Sequence, residues 1–146
     1  MMTLTLCALL GLSLVTAGCA AARGGTAAAS PLPRVAADCA SASPHRLSTR
    51  PSSITLACAD NGWGVQDLTW TSWTTSAAVG HGVFWDKLCK PSCAAGKIGT
   101  YPVAIRLSAV KTTGQGRWFS QLTLTWKANR PPRPVPDRFR LAPPLG

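Results

Sequence analysis

Alternation with a period of two dominates the second half of the chain. Tyr101, Val103, Ile105 and Leu107 alternate with Pro102, Ala104, Arg106 and Ser108. Trp118, Ser120, Leu122, Leu124 and Trp126 alternate with Phe119, Gln121, Thr123 and Thr125. The polar, glycine-bearing stretch Lys111 to Arg117 separates the two runs. Together they predict an antiparallel hairpin with one apolar face and one wet face. Pro102 has no N–H to give to a ladder, so it belongs at a strand start or an unpaired edge position. Upstream, Ile54 to Cys58 alternates more weakly, and Asp60-Asn61-Gly62 after it is turn chemistry. Gln66 to Trp73 alternates again, with Leu68 and Trp70 on one face and Asp67, Thr69, Thr71 and Trp73 on the other. Thr74 to Gly82 reads as a loop or an edge, and Val83-Phe84-Trp85 as a short apolar strand. No stretch after residue 20 sustains helical periodicity. The pattern predicts an all-β fold, a small disulfide-braced antiparallel β-sandwich or partly open barrel of about five to seven strands.

Both ends lack this pattern. Residues 1–18 are apolar and uncharged and end in small residues before Cys19. The run is short for a membrane span and has the length of a signal-peptide core, expected to form a signal helix. Val15-Thr16-Ala17-Gly18-Cys19 resembles a bacterial lipobox, in which the cysteine is acylated and becomes the first residue. Thr16 stands where a lipobox usually has Leu, and no Lys or Arg precedes the apolar run. The reading is export with lipid attachment at Cys19 and anchoring to the cell membrane. The alternative is an ordinary signal peptide cut near Ala20 to Ala22 and a secreted product. Residues 19–50 are rich in Ala, Ser, Pro and Gly and are expected to form a flexible tether. About 30 such residues reach on the order of 30 Å. The β domain is placed at residues 51–128. Residues 129–146 are dense in Pro and carry Arg130, Arg133, Arg138 and Arg140 against one Asp137, and are expected to be disordered or polyproline-like.

Once residues 1–19 are set aside, four cysteines remain: Cys39, Cys58, Cys89 and Cys93. An even count in an exported chain predicts two disulfides, with three possible connectivities. Pro91 stiffens the small ring that Cys89–Cys93 would close. Cross-links from this elbow to Cys58 and Cys39 are therefore favoured, and a loop of about 30 residues closed this way contributes roughly 3–4 kcal/mol. Zinc sites favour paired short spacings, and only one cysteine pair here is close, so no metal is expected.

The chain carries 15 Lys plus Arg against 5 Asp and no Glu, a net charge of +10. Such a balance draws a protein to anionic lipid, wall polymer or nucleic acid, and export argues against nucleic acid. No nucleophile elbow is present, His45 lies in the tether, and His81 sits between two glycines. Five scattered Asp do not make a paired-carboxylate site. The expectation is a non-catalytic, monomeric binding or structural module without cofactors. Its candidate partner chemistry lies in Arg130, Arg133, Arg138 and Arg140. Of the six tryptophans, Trp70, Trp118 and Trp126 fall on core faces, while Trp63, Trp73 and Trp85 are candidates for an exposed binding surface. The alternative function is a secreted inhibitor or partner of an extracellular enzyme, presenting the loop Lys87 to Lys97.

PSSITLACAD (Pro51 to Asp60), LTWTSW (Leu68 to Trp73), CKPSCAAGK (Cys89 to Lys97) and YPVAIRL (Tyr101 to Leu107) occur in that order. The series resembles a family of small secreted or lipid-anchored actinobacterial proteins of uncharacterised function. The resemblance covers roughly Pro51 to Trp126. It implies export and a cysteine-pinned β domain and transfers no catalytic residue.

Overall fold

In the computed structural model the described residues are 29–38, 47–57 and 62–141. The signal segment, Cys19, Cys39, His45, Cys58 and the Asp60-Asn61-Gly62 turn up to Asn61 lie outside them. The described residues are all-β, with no helix among them. Six strands form one antiparallel sheet in sequence order: β3 (Ile54–Thr55), β4 (Trp63–Trp73), β5 (Ala78–Lys87), β6 (Ile98–Thr113), β7 (Gly116–Trp126) and β8 (Arg138–Arg140). The sheet curls into a half-barrel. β1 (Val35–Ala36) and β2 (Leu47–Ser48) pair as a separate two-stranded ribbon.

The β6–β7 hairpin is the one read from the alternation. Ile105 faces Leu124 and Leu107 faces Leu122 across the ladder, and all four are buried. The Leu107–Leu122 row continues into β5 at Ala78, and further along the same strand Phe84 faces Tyr101. Val65 and Ile54 extend the Phe84 row into β4 and β3. These residues, with Trp73, Trp118 and Phe119, make one hydrophobic core. Phe119, expected on the wet face of the hairpin, is buried against Trp73 instead. Pro102 is not at a strand start: it is the fifth residue of β6 and pairs with Val83 of β5. On its other side the β6–β7 ladder ends at Val103 with Trp126, and the Pro102 carbonyl accepts from the Lys127 N–H at 3.1 Å.

Strand β4 departs from simple alternation. Between Gln66 and Thr69, and again between Trp70 and Ser72, it gains one residue on β5, and Asp67 takes a φ of 53°. Each bulge turns the following side chains over. The core therefore takes Val65, Leu68 and Trp73, and Trp73 is buried rather than on the outer face. Its indole N–H donates to the Pro33 carbonyl at 2.8 Å. The Gly80-His81-Gly82 stretch is strand, not loop: His81 pairs with Thr69 and Ala104. The glycines are needed for close approach. A Cβ at Gly80 would meet the Thr69 carbonyl oxygen at 2.6 Å and the Trp70 ring at 3.1 Å. One at Gly82 would meet the Gln66 carbonyl oxygen at 2.6 Å.

Both end segments depart from the expected disorder where they are described. In the tether, Val35 and Pro33 are fully buried. Arg34 exchanges backbone bonds with Arg117 and Phe119 of β7, and the Ala37 carbonyl accepts from Thr55 of β3. Residues 33–37 thus run from β7 to β3 along backbone bonds that a composition count cannot see. At the other end, residues 129–141 cross the core face and finish in β8. Phe139 faces Leu122, while Arg138 and Arg140 point out beside Thr123 and Gln121. Pro131 and Leu141 are buried. The prolines lie in the crossing, where no ladder N–H is required, so they do not prevent packing.

The elbow also closes differently from expectation. Cys89 and Cys93 bond to each other, with Cα atoms 3.9 Å apart and a cis Lys90–Pro91 peptide inside the ring. The chain doubles back within this loop. Leu88 N–H donates to the Lys97 carbonyl at 2.8 Å, and Ala95 N–H to the Ser92 hydroxyl at 3.2 Å. The elbow is therefore a local brace on the β5–β6 connection, and neither of its sulfurs is available to Cys58 or Cys39.

Candidate functional site

The four arginines singled out in the C-terminal segment divide into two pairs. Arg133 donates through Nε and Nη2 to both oxygens of Asp86, with the Nε bond at 3.1 Å. Asp86 lies on the core face of β5 opposite Trp63, and its side chain is 0% exposed. The Arg133 guanidinium lies 4.2 Å from the Trp63 ring centroid. Arg130 pairs with Asp137, whose carboxylate also accepts from the Trp126 indole N–H at 2.7 Å. The Arg130 guanidinium lies 5.2 Å from the Trp126 ring centroid. Both arginines thus have anionic partners within the protein.

Arg138 and Arg140 are placed otherwise. β8 is antiparallel to β7, so Arg138, Thr123 and Arg106 stand in one cross-strand row, and Arg140, Gln121 and Ser108 in the next. Strand spacing is about 4.8 Å, so Arg106 and Arg138 are on the order of 10 Å apart at their backbones. That is close to the screening length in physiological salt, about 8 Å. All three arginines are exposed. At Ala109, whose φ is 54°, the β6–β7 ladder is interrupted opposite Ser120, and the Ser120 hydroxyl donates to the Ala109 carbonyl at 2.7 Å. Beyond the interruption, Lys111 lines the same depression as Arg138 and Arg140, of about 470 Å³. No carboxylate lines it. The outer face of β6, β7 and β8 therefore gathers four cations interleaved with hydroxyl and amide groups.

The sequence named Arg138 and Arg140 and missed Arg106 and Lys111. The signal for Arg106 was present: it lies on the wet side of the alternation that defined β6. What was missing was β8, whose three residues bring the C-terminal arginines beside it.

The structure does not bring Trp63, Trp73 and Trp85 together. Trp73 is in the core. Trp63 is half-buried on the core side, against Phe84 and Phe139. Trp85 faces the other way, between Phe84 and Asp86 in sequence and across from Gly64 and Thr100. A Cβ at Gly64 would sit 2.9 Å from the Trp85 indole nitrogen, so the ring lies over that glycine. His81 is exposed on β5. Among the described residues no three of His, Cys, Asp and Glu come together as a metal site. No described helix is long and apolar enough to cross a membrane. Comparison of the chain with family models, with curated proteins and with solved structures gave no match.

Proposed function

We propose that the protein is an exported, non-catalytic cell-envelope module, anchored through an acylated Cys19, whose arginine face binds anionic lipid or wall polymer. The observation that carries this reading is the cluster Arg106, Lys111, Arg138 and Arg140 on one exposed face, with no carboxylate lining the depression that Lys111, Arg138 and Arg140 share. A face of one sign attracts counter-charge over a distance comparable to its own width. Near an anionic membrane each Lys or Arg contributes about 1 kcal/mol, falling off within a screening length. The short apolar N-terminal run and the small residues before Cys19 support export and anchoring. More than one acyl chain gives stable attachment.

Removing the whole C-terminal segment is a poor test, because that segment covers the core. The informative variant is Arg138→Gln with Arg140→Gln, which keeps β8 and removes two charges. At low salt it should weaken binding to phosphatidylglycerol vesicles roughly 30-fold, the equivalent of about 2 kcal/mol. Unchanged binding, or wild-type binding insensitive to salt, sinks the electrostatic reading. Purified wall polymer in place of vesicles distinguishes the two partners. For the anchor, labelled palmitate should enter the wild-type chain and not Cys19→Ser. A wild-type chain that takes up no label removes lipid attachment.

A second reading is favoured by a separate feature, the exposed, disulfide-closed loop between β5 and β6. A rigid projecting loop suits a secreted inhibitor or partner of an extracellular enzyme. A stoichiometric enzyme recovered with the wild-type chain, and lost on charge reversal at Lys90, would favour that reading over the first.

A further inference from the structure

We infer that the cleft between the disulfide-closed loop and the C-terminal segment binds a single-chain anionic amphiphile, at a site separate from the arginine face. The cleft has a volume of about 550 Å³. Small-molecule sites run from about 300 to 1,000 Å³ and are mostly apolar with a few placed polar groups. Its apolar lining is Leu88, Pro91, Ala95 and Pro132, together with the Cys89 end of the disulfide. Its cations are Lys87, Lys90, Lys97 and Arg133, and no carboxylate lines it.

Both walls are fixed. The disulfide and the Leu88–Lys97 backbone bond hold the loop. Asp86 and Trp63 hold Arg133 on the other side. Asp86 compensates the charge of Arg133, which leaves three lysines around an apolar floor. A neutral apolar ligand would leave their mutual repulsion in place. A small inorganic anion would relieve it but leave the floor wet. A ligand with an apolar chain and one anionic head answers both features. Burial of the chain supplies the drive. Lysine suits the head as a compact charge on a flexible stem whose methylenes can lie along the chain.

The test is titration of the full chain with dodecanoate, below the concentration at which it forms micelles. Trp63 carries Arg133 on its ring, so tryptophan fluorescence reports on the cleft wall. Wild type should show saturable one-site binding. Dodecanol and acetate should each bind at least tenfold more weakly. Lys90→Glu with Lys97→Glu should weaken dodecanoate binding at least tenfold. Ala95→Trp should block it by filling the cleft, whatever the charge. Arg138→Gln with Arg140→Gln should leave it unchanged, so failure here and failure of the arginine-face reading are distinguishable. The inference is overturned if wild type shows no saturable signal or if dodecanol binds as tightly as dodecanoate. It is equally overturned if binding survives Ala95→Trp, which would be uptake elsewhere, such as by the apolar residues 1–18.

Discussion

Arg133 and Arg130 stand three residues apart, and each meets one tryptophan ring and one aspartate. They differ in the depth of the carboxylate. Asp86 is 0% exposed at the side chain and Asp137 is 56% exposed. Asp137 and Arg130 exchange their contacts against water at high dielectric and lose side-chain freedom in doing so, which leaves little net stabilisation. Asp86 has no water to fall back on. Its two oxygens rest on one guanidinium, and that guanidinium comes from a segment that would otherwise leave the core face uncovered. The same three residue types thus act at one place as a clasp for the fold and at the other as surface trim. Composition does not distinguish them; burial of the acid does.

The sharpest way to break the comparison is to remove Arg133. Arg133→Ala leaves a buried carboxylate with no cation, a change that costs about 3–5 kcal/mol in comparable pairs. The arginine itself is 44% exposed, so water can enter the vacated space and the lower figure applies, about 3 kcal/mol. Denaturant unfolding should show a clearly lower midpoint. Asp86→Asn should cost less, about 1–2 kcal/mol. It removes the buried charge and leaves Arg133 free to turn to solvent while keeping the Trp63 ring beneath it. The order, Arg133→Ala worse than Asp86→Asn, is the diagnostic. The reverse order, or a loss under 1 kcal/mol for Arg133→Ala, would show that the buried acid does not govern this contact.

The clasp was not legible in the sequence, and the reason is specific. Asp86 follows Val83-Phe84-Trp85 at a strand end and precedes Lys87, where an acid normally marks solvent. Its partner is 47 residues away, in a stretch whose prolines argue for disorder. Nothing local says that Phe139 will pair its backbone with Leu122, although Arg138-Phe139-Arg140 does carry one period of polar-apolar alternation. The β6–β7 hairpin was legible because two long runs alternate and a glycine-bearing stretch joins them. Its strands, however, extend to Thr113 and from Gly116, into that stretch, and Phe119 is buried where the alternation put it on the wet face. β4 was half legible. Its strand character came through, but two bulges moved Trp73 from the outer face into the core, and a bulge leaves the residue types unchanged. Gly80 and Gly82 misled for a related reason. Glycine marks loops by its flexibility, and here it serves by lacking a Cβ under Trp70 and beside the first bulge. The disulfide ring shows the same limit. Pro91 was expected to oppose closure of the ring, but the chain reverses within the five residues, and only the backbone path reveals it. For the arginine face the two C-terminal arginines were visible and their neighbours on β6 were not. A face is a property of register, and register needs β8.

Arg130→Ala tests the shallow end of the comparison. Asp137 keeps the Trp126 indole N–H, and its backbone carbonyl still accepts from Leu124 at 2.7 Å. No charge is stranded away from water. The expected loss is therefore within the range of exposed pairs, about 0.2–1 kcal/mol, including whatever the guanidinium gains over the Trp126 ring. In 1 M salt, where the screening length is about 3 Å, most of that difference should vanish, whereas the Arg133→Ala loss should persist because salt reaches Asp86 poorly. The pair of measurements separates depth from chemistry. If Arg130→Ala costs as much as Arg133→Ala at both salt concentrations, the exposed triad is holding the segment by a means other than charge. The Asp137–Leu124 backbone bond and the Phe139 packing would then be the places to look.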